Sequence, residues 1–362
     1  MATENPTKKL KMDGPLIGTH NGHFHADEAL AVSMLRLLPT YSHSALVRTR
    51  DPSILSTCHT VVDVGSEYDA SRNRYDHHQR GFSATFPGHS TKLSSAGLVF
   101  LHFGKAIIQT VTGLPDGADL DLLFSKIYTD FIEAFDANDN GISVLNPSDL
   151  TSAGLTKKFE DRGFSIASVV SRYSYAHSLP SPSPSSNSAP AKSKDELQAE
   201  EDTRFLKAST FVGEQFLLEV TDCATAWLPA RHSVQQAYAT RMQYDAQGRI
   251  LVLPEGMPWS NHLYTLEKET PTADGVSPQV LYVLFPETPE ADSKWRIRAV
   301  SKENGGFENR KDLPEPWKGV RDEALNEVSG VQGCVFVHAA GFIGGNKTLE
   351  GALEMARKAC EF

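Results

Sequence analysis

Tyr75-Asp76-His77-His78-Gln79-Arg80 places one carboxylate and two imidazoles on consecutive residues. One hard anionic ligand beside two neutral nitrogens suits a divalent transition metal, although a solvated polar turn has the same composition. A second stretch, His20-Asn21-Gly22-His23-Phe24-His25-Ala26-Asp27-Glu28, carries three histidines and an aspartate within eight residues. A lone histidine is more often a satisfied structural residue; this density points to metal binding or catalysis. Asp63 sits at the tip of the apolar run Thr60-Val61-Val62-Asp63-Val64-Gly65. A carboxylate there needs something to offset its desolvation. A metal would do so, and a turn-capping role is the alternative. Asp136 follows the apolar Phe135 and can point inward, ahead of the turn-rich Asp136-Ala137-Asn138-Asp139-Asn140-Gly141. That cluster lacks the ligand spacing and closing glutamate of a calcium-binding EF-hand loop.

The elements that must hold these residues are those of an α/β protein. Pro15-Leu16-Ile17-Gly18-Thr19 predicts a strand, and Leu30, Met34, Leu37 and Leu38 a helix ended by Pro39. The first histidine loop then lies at the carboxyl end of a strand, where open α/β sheets bind ligands. Ser44 to Pro52 and Thr60 to Gly65 predict further strands, and Ser94-Ser95-Ala96-Gly97 opens a helix with serines suited to its N-cap. The apolar positions Leu120, Leu123, Phe124, Ile127, Tyr128, Phe131, Ile132 and Phe135 keep a helical period for four turns, and the Asp136–Gly141 stretch predicts its stop.

The second half has a different texture. Ser178 to Asp202 is rich in Ser, Pro, Ala and charge and predicts a disordered insertion. Helical patterns resume near Phe205, and the Asp245-Ala246-Gln247-Gly248-Arg249 turn is the expected domain boundary. Strands follow at Ile250–Leu253, Val280–Phe285, Trp295–Val300 and Cys334–His338. Arg296, Arg298, Lys302, Arg310, Lys311, Lys318 and Arg321 interleave with Trp295, Phe307 and Trp317. Single-stranded nucleic-acid binding requires this mixture, which is also common on protein surfaces. After His338, the stretch Gly341-Phe342-Ile343-Gly344-Gly345-Asn346-Lys347 reads as a turn feeding a helix. Its backbone amides would suit a phosphate, a plain tight turn being the alternative. Neither dinucleotide nor Walker spacing is present.

Composition sets the bounds. The 362 residues are long enough for two domains, and a formal net charge of −10 excludes a protein that coats nucleic acid nonspecifically, though not a local basic groove. The four cysteines form no C-x-x-C pair, so neither a disulfide framework nor a zinc ribbon is expected. No apolar run reaches the length of a membrane span. Residues 1–13 predict a disordered tail without a secretory or transit signal, its Pro6-Thr7-Lys8-Lys9-Leu10-Lys11 run being compatible with nuclear import.

The order of these clusters, each following a strand, resembles the DHH phosphoesterase superfamily. More closely, Thr19-His20-Asn21-Gly22 to Ala29, Val47-Arg48-Thr49-Arg50-Asp51, Tyr75 to Gln79 and Gly341 to Lys347 look like the Myg family of RNA exonucleases of nucleus and mitochondria. The resemblance covers nearly the whole chain outside the tail and insertion. It implies a parallel-sheet catalytic domain at 14–245 and a smaller mixed α/β substrate-binding domain at 246–362, with the active site in the cleft between. It also implies two divalent ions, one held by His20, His25 and Asp63, the other by Asp27, His77 and Asp136, with Asp63 bridging. His25 stands where the superfamily usually has an aspartate, which favours Mn²⁺ over Mg²⁺ and leaves His23 as a substitute for His20. Asp76 would brace the neighbouring histidine, His78 would contact the scissile phosphate, and Arg296, Arg298, His338, Gly344, Gly345 and Lys347 would bind substrate. The implied activity is 3′→5′ hydrolysis of single-stranded RNA to 5′-mononucleotides. A phosphohydrolase of pyrophosphate or short oligonucleotides is the alternative, and a non-catalytic metal-binding scaffold a further one.

Overall fold

The computed structural model describes residues 14–156, 158, 159, 163–175, 192–270, 279–303 and 306–362. The tail at 1–13 and residues 178–191 of the expected insertion lie outside them. The chain divides into two compact units, Met1–Cys223 and Ala224–Phe362.

In the first unit a five-stranded sheet has the order β2-β1-β3-β5-β4. The strands are β1 (Gly14–Thr19), β2 (Ser44–Arg48), β3 (Thr60–Val62), β4 (Tyr68–Asp69) and β5 (Arg74–Tyr75). β2, β1, β3 and β5 are parallel and only the edge strand β4 is antiparallel, so the sheet is mixed. Parallel neighbours need crossovers. The first is α1 (Ala26–Leu37), whose Leu30, Val32, Met34 and Leu35 are fully buried, and the second contains the short α2 (Pro52–Leu55). The remaining helices are α3 (Ser95–Thr112), α4 (Ala118–Ile127), α5 (Glu133–Asp139), α6 (Pro147–Ser152), α7 (Ile166–Tyr175) and α8 (Lys194–Asp222).

The long helical run ends, as expected, within the Asp136–Gly141 stretch: a π-helical turn at Tyr128–Ile132 leads into α5, which stops at Asp139. One expectation is corrected here. Residues Lys194–Asp202 are not disordered but form the first turns of α8. Ser193 and Glu196 make a reciprocal capping box there, and Glu201 and Asp202 pair with the buried Arg48 guanidinium at 3.2 Å each. That guanidinium also donates to Gly22 O at 2.7 Å and lies over the rings of Phe205 and Phe24. Composition alone hides these partners because they are distant in sequence.

The second unit begins 22 residues before the expected boundary, with α9 (Leu228–Thr240). α9 packs its Val234, Ala237 and Tyr238 on Leu251 and Val283 of the second sheet. Its other elements are β6 (Ile250–Val252), α10 (Ser260–Glu269), β7 (Tyr282–Pro286), β8 (Trp295–Ala299), α11 (Asp322–Ser329), β9 (Cys334–Val337), β10 (Ile343–Asn346) and α12 (Leu349–Glu361). The sheet order is β6-β7-β8-β10-β9, antiparallel except for β6 with β7. Gly344 and Gly345 are therefore not in an open turn. They lie within β10, paired on one side with β8 and on the other with β9, so their backbone belongs to the sheet ladders. Alternation along the strands explains the sequence. Tyr282, Leu284 and Ile297 face a core that includes Ala352, Met355 and Ala356 of α12, while Val283 faces α9. No described helix is long and apolar enough to cross a membrane.

Candidate metal centre

The strand ends of the first sheet bring the sequence clusters together. In three groups of residues, one ligand atom from each lies within 4.8 Å of the others: His20, His25, Glu28 and Asp63; Asp63, His77 and His78; His25, Asp27 and Asp139. Asp63 and His25 each belong to two groups, so the three form one continuous cluster.

Each side chain is placed by local structure. His20 follows β1 and is buried; its Nδ1 donates to Asn21 O at 3.1 Å. A carbonyl can only accept, so Nε2 is left as the ligating nitrogen. It lies 3.2 Å from Glu28 Oε1 and 3.3 Å from Asp63 Oδ2. Burial opposes a charge on His20, but the Asp63 and Glu28 carboxylates outweigh it and hold the ring up to about 10. A lone pair facing two carboxylates requires a cation at that point, either a proton or a metal ion. His25 is the N-cap of α1, and Glu28 closes its capping box by accepting from His25 N at 2.8 Å. The first turn of α1 thus aims Asp27 and Glu28 at the site, where the positive end of the helix dipole favours anions.

Asp63 lies immediately after β3 with φ of +58°, a left-handed conformation that aspartate tolerates better than most residues. Its Oδ1 accepts from Ser95 Oγ at 3.0 Å, at the start of α3. Burial would raise its pKa, but His20 and His77 hold it below the ordinary carboxylate range. His77 Nε2 is 3.0 Å from Asp139 Oδ2 and 3.4 Å from Asp63 Oδ1. Burial disfavours charge on this ring too, but Asp139 and Asp63 hold it up to about 9. Asp76 is buried and accepts from Ser66 N at 2.6 Å and from His78 Nδ1 at 2.7 Å. The histidine it braces is therefore His78, whose side chain is 57% exposed and presents Nε2 outward.

The donor set fits divalent cations. Both Asp27 oxygens, Glu28 Oε2 and His77 Nδ1 are buried without a hydrogen-bond partner. Orphaned buried acceptors cost free energy unless something binds them. Asp27 is the extreme case: burial first, then Asp63, Asp139 and Glu28, push its pKa well above the ordinary value. Four carboxylates and four imidazoles converging in this way suit an oxygen- and nitrogen-preferring ion.

Two expected residues are placed differently. Asp136 is in none of the three groups. Its Oδ1 accepts from Ser94 N (2.8 Å), Ser94 Oγ (2.7 Å) and Gly97 N (3.1 Å), and its Oδ2 accepts from Tyr128 Oη at 2.8 Å. A Cβ at Gly97 would lie 2.3 Å from Asp136 Oδ2, so only glycine permits this approach. Asp136 anchors the start of α3, and Asp139, one turn later, faces the cluster. His23 turns away from it, with Nδ1 2.7 Å from Ser174 Oγ and its ring 4.7 Å from that of Tyr175. Glu28 and Asp139 were not expected as ligands. The capping spacing from His25 to Glu28, and a helix continued for one more turn, are the signals that mark them.

Asp136 also yields a pH prediction. Burial pushes its pKa from 3.8 up to about 6, against the opposing hydrogen bonds from Ser94, Tyr128 and Gly97. The folded state then holds this proton more tightly than the unfolded chain. In EDTA-treated protein, the stability that Asp136 confers relative to Asp136→Asn is full below about pH 4 and declines as pH rises through 6. The expected loss is about 3 kcal/mol, read from urea denaturation at several pH values.

The expected substrate-binding residues all belong to the second unit. Arg296 and Arg298 alternate with buried Ile297 on β8; Arg298 lies 4.4 Å from the Phe342 ring and Arg296 4.9 Å from that of Phe336. Arg296 is paired with Glu287. His338 is exposed and 4.5 Å from the Phe342 ring, and Lys347 is exposed just before α12. A Cβ at Gly345 would come within 3.2 Å of the Arg296 guanidinium, so this glycine makes room for the basic–aromatic face.

A mixed α/β protein with a buried, metal-competent histidine–carboxylate cluster at the ends of parallel strands is the class that fold and site define. Residues 16–360 match a family described as an uncharacterised protein family (UPF0160) and named for the MYG1 exonuclease. The "MYG1 exonuclease" of Homo sapiens is 44% identical over 356 residues, covering 96% of this chain and 86% of the relative. The "MYG1 protein YER156C" of Saccharomyces cerevisiae is 42% identical, covering 98% of each chain, and the "MYG1 protein" of Dictyostelium discoideum is 40% identical, covering 94% and 95%. The chain belongs to the MYG1 family.

Proposed function

We propose that the protein is a metal-dependent 3′→5′ exoribonuclease that releases 5′-mononucleotides from single-stranded RNA. The observation that carries this reading is the buried cluster with orphaned Asp27 and His77 atoms at its centre. The names of its mammalian relatives supply the reaction class. His20, His25, Glu28 and Asp63 would hold one divalent ion, and Asp27, His77 and Asp139 the other, with Asp63 shared. Three imidazoles in the set favour Mn²⁺ over Mg²⁺. The chemistry such a pair would supply is Lewis-acid neutralisation of the phosphoryl charge and a water of lowered pKa.

The chain's own residues do the rest. Ser95 fixes the Asp63 carboxylate so that both its oxygens face the cluster. Asp76 holds His78 by Nδ1, and its hydrogen bond raises the His78 pKa, so the exposed Nε2–H donates to a phosphate oxygen. Arg298, His338 and Lys347 of the second unit would contact the RNA backbone, with Phe336 and Phe342 as stacking surfaces.

The test is degradation of 5′-labelled single-stranded RNA with Mn²⁺. A ladder that shortens from the 3′ end and disappears with EDTA is expected. Intact RNA alongside cleaved pyrophosphate or dinucleotide would replace this reading with that of a small-substrate phosphohydrolase.

A further inference from the structure

A pocket of about 340 Å³ lies beside the metal cluster, lined by His23, His25, Asn138, Ser165, Ser168 and Ser171 among others. Its volume is within the range of small-molecule sites, about 300–1,000 Å³. Two of its walls come from the cluster itself: His25 belongs to two of the ligand groups, and Asn138 precedes Asp139. The third wall is α7, whose inward residues are small. Ser165 and Ser168 bond to each other across the first turn of α7, Ser168 N donating to Ser165 Oγ at 3.2 Å and Ser168 Oγ to Ser165 O at 2.7 Å. Among the described residues, nothing engages the Ser171 hydroxyl or the Asn138 side-chain amide.

Among the described residues, the lining contains no lysine, arginine or carboxylate. A second phosphate would leave its charge uncompensated there. Hydroxyls, an amide and imidazole faces suit a neutral, hydrogen-bonding group with a flat apolar surface, which is the chemistry of a nucleoside. His23 is held as one such face by Ser174 and Tyr175 of the same helix, and Ser174 Oγ also accepts from Phe24 N at 3.4 Å. α7 therefore ties the pocket to the metal-binding loop as well as lining it.

We propose that this pocket seats the terminal nucleoside of the chain being cleaved, with Ser171 and Asn138 reading its sugar hydroxyls. The proposal rests on the nuclease reading above and assigns α7 as the element that selects the substrate. A ligand at His25 enters it directly, so the phosphate joined to that nucleoside falls on the ion cluster.

The experiment uses the full chain with Mn²⁺ and compares a short oligoribonucleotide with bis(p-nitrophenyl) phosphate, a phosphodiester without a nucleoside. Ser171→Phe, which fills the pocket, should lower the ratio of the two kcat/KM values at least tenfold, mainly through KM for the oligonucleotide. It should also weaken binding of 5′-AMP, measured by calorimetry, by about tenfold. Ser171→Ala, a small change at a half-buried helical position, should reduce the preference for an oligoribonucleotide over its deoxy counterpart severalfold. Unchanged ratios and 5′-AMP affinity in both variants overturn the pocket and leave the nuclease reading standing. An equal fall on both phosphodiesters also overturns it, because α7 would then serve only to hold the metal loop. Wild-type protein that hydrolyses neither phosphodiester overturns the nuclease reading itself.

Discussion

Asp63→Asn should reduce RNA hydrolysis on the order of 10³-fold at saturating Mn²⁺ while leaving the metal-free fold intact. Asparagine is the informative substitution because Asp63 has a φ of +58°. Asn tolerates that conformation, whereas alanine would add backbone strain of about 1 kcal/mol and confuse the result. The change keeps the acceptor for Ser95 Oγ but removes the anion that faces His20 and His77. Without it, the two halves of the cluster lose the only carboxylate they share among the described groups. The loss should be visible in stability as well. A ligand at a hundred times its Kd stabilises the folded state by about 2.7 kcal/mol. Added Mn²⁺ should therefore raise the Tm of the wild type far more than that of the variant. A rate within tenfold of wild type would place the chemistry elsewhere.

The second large effect separates two aspartates one helical turn apart. Asp139→Asn should weaken Mn²⁺ binding by on the order of 100-fold, because Asp139 Oδ2 faces His77 Nε2 at 3.0 Å and lies with Asp27 and His25. Asp136→Asn should leave the number of bound ions unchanged. Its effect should appear in folding, since Asp136 satisfies Ser94 N, Ser94 Oγ, Gly97 N and Tyr128 Oη in the interior. Asp136→Ala leaves these donors without an acceptor and should cost about 3–5 kcal/mol in urea denaturation. Ion binding lost with Asp136→Asn and kept with Asp139→Asn would reverse the two roles.

This pair also shows where sequence reading reaches its limit. An Asp-Asn-rich segment after an apolar helix reads as a stop signal, and by composition it is one. Packing decides what composition does not, namely which carboxylate goes where: Phe135 and Asp136 are drawn into the interior, and Asp139 at the end of α5 faces the histidine cluster instead. The same physics hid the first turns of α8. Glu201 and Asp202 belong to a charged, serine- and proline-rich stretch, yet their partner Arg48 is more than 150 residues away. Gly344 and Gly345 were legible as glycines with a purpose, but not as strand residues, because pairing with β8 and β9 is a long-range fact.

What was legible depended on local pattern. Strand, histidine loop and amphipathic helix follow one another from Gly14 to Leu37 as their periodicity predicts, and β3 ends at Asp63. Parallel strand ends then bring His20, Asp63 and His77 together, which no single motif shows. Glu28 was visible in the sequence but carried two functions at once, capping α1 and facing His20, and only the first has a sequence signature.

The most direct test of the central claim is calorimetric titration of Mn²⁺ into the EDTA-stripped full chain. The cluster described here predicts two ions per chain, with proton release as His20 and His77 give up theirs, and no coupled pair in Asp63→Asn. Absence of binding, or a single ion indifferent to Asp63→Asn, would contradict it.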